Sequence, residues 1–409
     1  TIPFVLQGLD VLGMAQTGTG KTAAFTLPIL QKLNASQSTE KARDPRALIL
    51  APTRELAIQI NESIRKYGQY IALKHTVIFG GVKQGPQVKA LDRGMDIIVA
   101  TPGRLLDLIN QGFCSLNKIE FFVLDEADRM LDMGFIRDVE KVVKILPKKR
   151  QTLFFSATMP DSVIKLANTI LTSPKQVKVK STLTPVERIA QSVIVIDPKD
   201  KVLQLITLLK EKEFNSVIVF TKTKHKANRI TQKLTAVNID SEAIHSNKSQ
   251  AARQKALNGF KDGTIKILIA TDIAARGIDV EAVSHIINFD MPSTPEDYVH
   301  RIGRTARAGA SGIAVSFCEP SERLKLFRIE KLIDLKLEVV KSNLLNPENI
   351  IGYNEEINRS QSKPKHDANQ FEDKKYKSKK LASIKGKSGL KRNAKKNKLL
   401  QNKKKIDKR

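Results

Sequence analysis

Tryptophan is missing altogether from this 409-residue chain, and aromatic residues make up only 5% of it. That shortage argues against a surface that stacks nucleic-acid bases, because such platforms need aromatic rings set among basic side chains. Cysteine is nearly as scarce. Cys114 and Cys318 stand far apart and in no metal-ligand spacing, so they read as two reduced thiols of a cytosolic protein. No apolar run approaches the roughly 18 residues of a membrane span, and the N-terminus lacks the basic-then-apolar order of a secretory signal. A soluble, cytoplasmic protein without a membrane partner is expected. Acidic residues are the last shortage: 42 Asp and Glu stand against 70 Lys and Arg, a net charge of +28.

That charge is unevenly placed. Residues 374–409 hold seventeen Lys or Arg and one acid, Asp407, so more than half of the excess sits at one end. A segment so poor in apolar residues cannot bury enough surface to offset its ordering entropy, and residues 349–409 are expected to be a disordered basic tail. An uncompensated basic block attracts phosphate backbones or an acidic protein. The length suggests two domains plus appendages. The first residue is Thr1, ahead of a strand-like segment, and the expectation is that the natural protein is longer.

Upstream of the tail, short apolar runs alternate with longer amphipathic stretches. ALILAP, HTVIFGG, DIIVATP, IEFFVLDE and QTLFFSAT form one series; SVIVID, NSVIVFT, SEAIH, IKILIATD, VSHIINFD and GIAVSFCE form a second. Such alternation predicts parallel sheets flanked by helices. A polar, proline-bearing stretch at 173–192 interrupts it. The predicted order is therefore an α/β domain at 1–178, a linker at 179–192 and a second α/β domain at 193–348. No internal repeat is visible beyond the shared rhythm.

GMAQTGTGKTAAF, Gly13 to Phe25, has the form of a phosphate-binding loop between a strand and a helix, with Ala15 where the strict pattern has glycine. Small residues let backbone N–H groups of Gln16, Thr17, Gly18, Thr19 and Gly20 close around a phosphate, and the helix N-terminus favours the negative charge. Lys21 is expected to reach the β- and γ-phosphates of a bound nucleotide, with Thr22 ligating Mg²⁺. A carboxylate for that metal is offered by FFVLDEADRM: Asp125 as Mg²⁺ ligand, Glu126 to orient and deprotonate the attacking water. Taken alone, the acidic cluster would equally suit a helix N-terminus.

AQTGTGKT, VLDEAD and SAT (Ser156 to Thr158), in that order, resemble the DEAD-box RNA helicases, a family that carries alanine at the first phosphate-loop position. PTREL, GG (Gly80, Gly81) and TPGR extend the likeness through the first half, and VIVFTKT, HSNKSQAAR, ATDIAARGID and HRIGRTAR through the second, covering about residues 1–345. The resemblance implies two tandem RecA-like domains and ATP as the nucleotide. It implies that Arg304 and Arg307 reach the γ-phosphate as arginine fingers, and that Gly277 and Asp279 approach the nucleotide. It also implies that Asp128, Ser156, Thr158 and His300 couple nucleotide to RNA. Read bottom-up, Arg304 and Arg307 fall one turn apart on a common helical face.

For RNA, Thr53, Arg54, Thr101, Arg104, Gln250, Arg253 and Thr271 are cationic, amide or hydroxyl types suited to phosphate and sugar contacts, which implies binding without sequence preference. Pro52, Gly81 and Thr221 join them through the motif matches. Two departures stand out. The family's adenine-reading element is expected just ahead of Thr1, so this chain should discriminate adenine poorly and hydrolyse ATP weakly. Ser246 replaces the usual glycine after His245, at a backbone cost if φ there is positive. The expected activity is ATP-dependent local unwinding of short RNA duplexes by a monomer, with ribosome assembly or RNA turnover as settings. An ATP-gated RNA clamp is the alternative from another class, and a DNA translocase on the same fold a third.

Overall fold

The computed structural model describes residues 1–15, 19–36, 44–178, 188–211, 216–275, 283–306 and 311–340. Seven strands form a first sheet: β1 (Val11–Met14), β2 (Ala47–Leu50), β3 (His75–Ile78), β4 (Ile97–Ala100), β5 (Phe121–Leu124), β6 (Gln151–Ser156) and β7 (Lys175–Lys178). Seven more form a second: β8 (Ile189–Val195), β9 (Val217–Phe220), β10 (Glu242–Ile244), β11 (Ile267–Ala270), β12 (His285–Asn288), β13 (Gly312–Cys318) and β14 (Glu338–Val340). The spatial orders are β3-β4-β2-β5-β6-β1-β7 and β10-β11-β9-β12-β13-β8-β14, which is one permutation used twice. Every pairing is parallel. The fold is thus two tandem RecA-like α/β halves, as expected, and both lie in the compact unit Thr1–Ile350. The predicted basic tail lies outside the described residues.

The central strands ALIL, IIVA, FFVL, VIVF and ILIA are buried along their whole length, as parallel strands with helices on both faces must be. Side chains alternate between two cores with a period of two. Phe122 and Leu124 of β5 share one core with Leu48 and Ile98, whereas Phe121 and Val123 share the other with Ala47 and Ile97. The edge strands β7 and β14 are short and largely exposed, which blunts edge-to-edge pairing.

Two sequence expectations need correction. The stretch at 173–192 is not all linker: β7 pairs with β1, and β8 begins at Ile189, inside the predicted 179–192. The start of β8 pairs only with β13, because β14 covers Ser192 to Ile194 alone. With one flank open, β8 needs no apolar run there. The segment after Thr1 is likewise no strand but a short helix, Ile2–Leu6, with Pro3 in its first turn, where a missing N–H is tolerated. Among the described residues no helix is long and apolar enough to cross a membrane.

Candidate functional site

The motifs gather where they should in parallel α/β sheets, at the carboxyl ends of strands. β1 runs beside β6 so closely that a Cβ on Gly13 would sit 2.5 Å from the Phe155 ring. Past its end, the Ala15 N–H donates to the Ser156 carbonyl at 3.1 Å. The helix Lys21–Ala35 then starts behind Gly20, whose φ of 82° lies in the left-handed region that suits glycine. Lys21 is buried and its Nζ donates to the Ala15 carbonyl at 2.9 Å, across the base of the loop. Thr22 is half-buried on the first turn, while Thr19 and Gly20 are exposed. Gln16, Thr17 and Gly18 lie outside the described residues.

Asp125 and Glu126 follow β5 and are both buried. Burial pushes the Asp125 carboxyl up to about 6; Lys21 opposes that rise and Glu126 adds to it. Glu126 sits at φ 53°, ψ 52°, a conformation sparsely populated by residues other than glycine. Its Oε2 accepts from Arg129 Nη1 at 2.8 Å. Asp128 turns the other way: its Oδ2 accepts from both the N–H and the hydroxyl of Thr158, each at 2.9 Å. Ser156 Oγ accepts the Asp128 N–H at 3.2 Å and donates to the Thr158 carbonyl at 2.7 Å. Three of the four predicted coupling residues therefore form one closed network. The fourth, His300, lies in the second half.

In that half the helix Pro295–Ile302 ends at Gly303, and Ala306 takes φ 54°. Arg304 therefore lies beyond the helix, and the expected helical setting does not hold for it. The chain leaves the helix because Thr305 bridges to Val283, and its hydroxyl donates to the Val283 carbonyl. Arg304 is buried, its Nε donating to the His300 carbonyl at 3.3 Å, in a recess shared with Asp272, Asp297 and His300. Arg301 is a strut. It grips Asp272 through two bonds of 2.6 and 2.8 Å, donates to the Asp290 carbonyl at 2.7 Å and lies 5.1 Å from the centre of the Phe220 ring. Arg307, Gly277 and Asp279 lie outside the described residues.

The predicted RNA-contacting residues largely converge. A cleft of about 270 Å³ is lined by Pro52, Thr53, Arg54, Thr101 and Arg104 from the first half, and by Ser246 and Arg253 from the second. Gly81, at φ 78°, lies against the Arg54 guanidinium, where a Cβ would collide with it. Burial, then repulsion from Arg253, draws the Arg54 pKa down; Glu55 opposes that fall and Arg104 adds to it. Gln250 and Arg253 reach across to Glu55 of the first half: Gln250 Nε2 donates at 3.1 Å, Arg253 Nε at 3.0 Å and Nη2 lies at 2.9 Å. Glu55, a carboxylate inside PTREL, was not singled out from sequence, and its only signal there is an acid among basic and hydroxyl groups.

Thr221 is a correction. It is fully buried at the end of the central strand β9, and its hydroxyl donates to Asp290 at 2.9 Å, so its side chain faces no ligand surface. Thr271 is half-buried after β11 and is not among the residues lining the cleft. Ser246 shows no positive φ, so the anticipated backbone cost does not arise.

Comparison with known proteins agrees with this geometry. Residues 1–166 match the family DEAD/DEAH box helicase, and residues 200–309 match the helicase conserved C-terminal domain. The DEAD-box ATP-dependent RNA helicase CshA of Geobacillus kaustophilus (strain HTA426) is 44% identical over 346 residues, 85% of this chain and 73% of that protein. CshA of Bacillus subtilis (strain 168) is also 44% identical, over 85% of this chain and 69% of its own length. Among solved structures, S. cerevisiae Dbp5 bound to RNA and ADP BeF3 is 32% identical, with a TM-score of 0.72 over 85% of this chain and 89% of that one. Mss116p bound to ssRNA and AMP-PNP is 30% identical, with a TM-score of 0.73 over 85% and 74%. By the order of its motifs, the two repeated sheets and this extent of identity, the chain belongs to the DEAD-box ATP-dependent RNA helicases.

Proposed function

We propose that the protein is a cytoplasmic, monomeric ATP-dependent RNA helicase that grips RNA backbone across both halves, hydrolyses ATP as they close, and locally separates short duplexes. The observation that carries this is the shared cleft: Arg54 and Arg104 on one wall, Arg253 on the other, with no anion between them but Glu55. A phosphate backbone supplies the missing negative charge, and hydroxyl and guanidinium groups at strand ends read no bases. Structured RNA of ribosomal or turnover assemblies is the substrate class that such sequence-blind binding suits.

Lys21 would exchange the Ala15 carbonyl for the β- and γ-phosphates. The Asp125 carboxyl is held up by burial against the pull of Lys21 and Arg129, so a further cation would favour its charged form. Its carboxylate and the Thr22 hydroxyl are oxygen donors of the kind Mg²⁺ takes. They would hold Mg²⁺, whose chemistry there is to neutralise charge on the phosphate oxygens. Glu126 orients the attacking water. Arg304 completes the charge stabilisation from the second half, and the Asp128–Thr158–Ser156 network relays nucleotide state toward the RNA side.

The test is strand separation of a short blunt RNA duplex by wild type and Glu126→Gln. Wild type should release the strand with ATP, and the variant should bind ATP and RNA without turnover. Hydrolysis by wild type without strand release would instead establish the ATP-gated clamp.

A further inference from the structure

The motif DEADRM has a fourth charged residue, Arg129, that no step above employs. It is 4% exposed and pairs with Glu126, itself 3% exposed, through a 2.8 Å bond to Oε2. Two neighbouring carboxylates buried side by side would repel unless each had its own cation. Lys21 serves Asp125. Arg129 serves Glu126.

The backbone points the same way. Glu126 holds a left-handed conformation that a residue with a Cβ keeps only where its surroundings over-determine it, and such outliers concentrate at working sites. Arg129 is also anchored at its own main chain, its N–H donating to Asp128 Oδ1 at 3.1 Å. Asp128 in turn holds Thr158. One residue therefore touches both ends of the motif: its guanidinium holds the Glu126 carboxylate, and its backbone is tied to the network that ends at Ser156.

From this geometry we propose that Arg129 is a positioning residue for hydrolysis, fixing the Glu126 carboxylate in one orientation and tying that orientation to the Asp128–Thr158 network. The proposal rests on the role assigned to Glu126 above. The rigid guanidinium aims the N–H of its 2.8 Å bond at Oε2 in a fixed direction, whereas a lysine ammonium acts as a point charge.

The experiment measures RNA-stimulated ATP hydrolysis by the full chain carrying Arg129→Met, Arg129→Lys or Glu126→Gln, with KM for ATP and thermal melting recorded for each. Arg129→Met should lower kcat thirtyfold or more while KM stays within threefold. Arg129→Lys should fall three- to tenfold below wild type. A kcat for Arg129→Met within threefold of wild type overturns the proposal. So does Arg129→Lys matching either wild type or Arg129→Met. If Arg129→Met does not fold, Arg129→Lys alone decides by the same limits. Glu126→Gln separates the two assignments: if it retains hydrolysis, the role of Glu126 itself is wrong. If it is inactive while Arg129→Met is not, only the role of Arg129 fails.

Discussion

The two halves share one strand order and place a lysine and an aspartate at matching points, yet use them in opposite ways. In the first, Lys21 opens the helix after β1 and Asp125 follows β5. In the second, Lys201 opens the helix after β8, and Asp290 lies just past β12, the equivalent of β5. Lys201 is buried against Glu319 at 2.8 Å, with Asp290 at 3.8 Å. Asp290 is saturated: it accepts from the Thr221 hydroxyl, the Lys222 N–H and Lys226. Burial pushes its pKa up, but those donors outweigh burial and hold it below the ordinary carboxylate value. Asp125 is held above that value, because burial and the neighbouring Glu126 outweigh Lys21, the Glu126 N–H and Arg129. The same topology thus carries an aspartate with three donors, Asp290, on one side and an aspartate with the Glu126 N–H as donor, Asp125, on the other.

The contrast can be broken at each lysine. Lys21→Met should reduce ATP hydrolysis by about 10³-fold or more, as loss of a principal charge stabiliser of phosphoryl transfer does, while the fold persists. Lys201→Met should act on stability. Removing Lys201 deprives Glu319 of its 2.8 Å partner, while Asp290 keeps Lys226, and should destabilise by about 3 kcal/mol, read as a lower denaturation midpoint with nucleotide affinity retained. Equal losses of stability from the two substitutions would erase the distinction.

A smaller and pH-dependent effect sharpens it further. Because the folded-state pKa of Asp290 is depressed, its contribution to stability is present above the unfolded carboxylate value and lost as pH falls through the folded one. Asp290→Asn should therefore destabilise by about 1–3 kcal/mol near neutral pH, a difference that fades below about pH 4. Denaturant melts of both proteins at about pH 2.5 and pH 7 check the sign; a penalty that grows on acidification contradicts it.

Much of this was legible in the sequence. The unbroken apolar runs announced central parallel strands, and the glycine-rich loop, DEAD and SAT each fell at a strand end as expected. What escaped depends on residues distant in the chain. Nothing local shows that Thr221 spends its hydroxyl on Asp290, or that Arg253 and Gln250 meet Glu55. The helix through Arg301 stops at Ile302 because Thr305 finds a partner at Val283, and helical spacing alone cannot register that partner. β8 hid inside a polar stretch because half of one flank has no neighbour. The repeat shows in the sequence only as a shared rhythm, because the halves share strand order without sharing side chains at their strand ends.

The central claim is that the catalytic site is divided, with the first half unable to turn over ATP until an arginine arrives from the second. The most direct measurement is RNA-stimulated ATP hydrolysis by Arg304→Ala, beside its affinity for a non-hydrolysable ATP analogue. The divided site predicts a loss of about 10³-fold in kcat with analogue affinity held within a few-fold. Wild-type turnover in Arg304→Ala would show that the first half completes the chemistry alone and contradict the account.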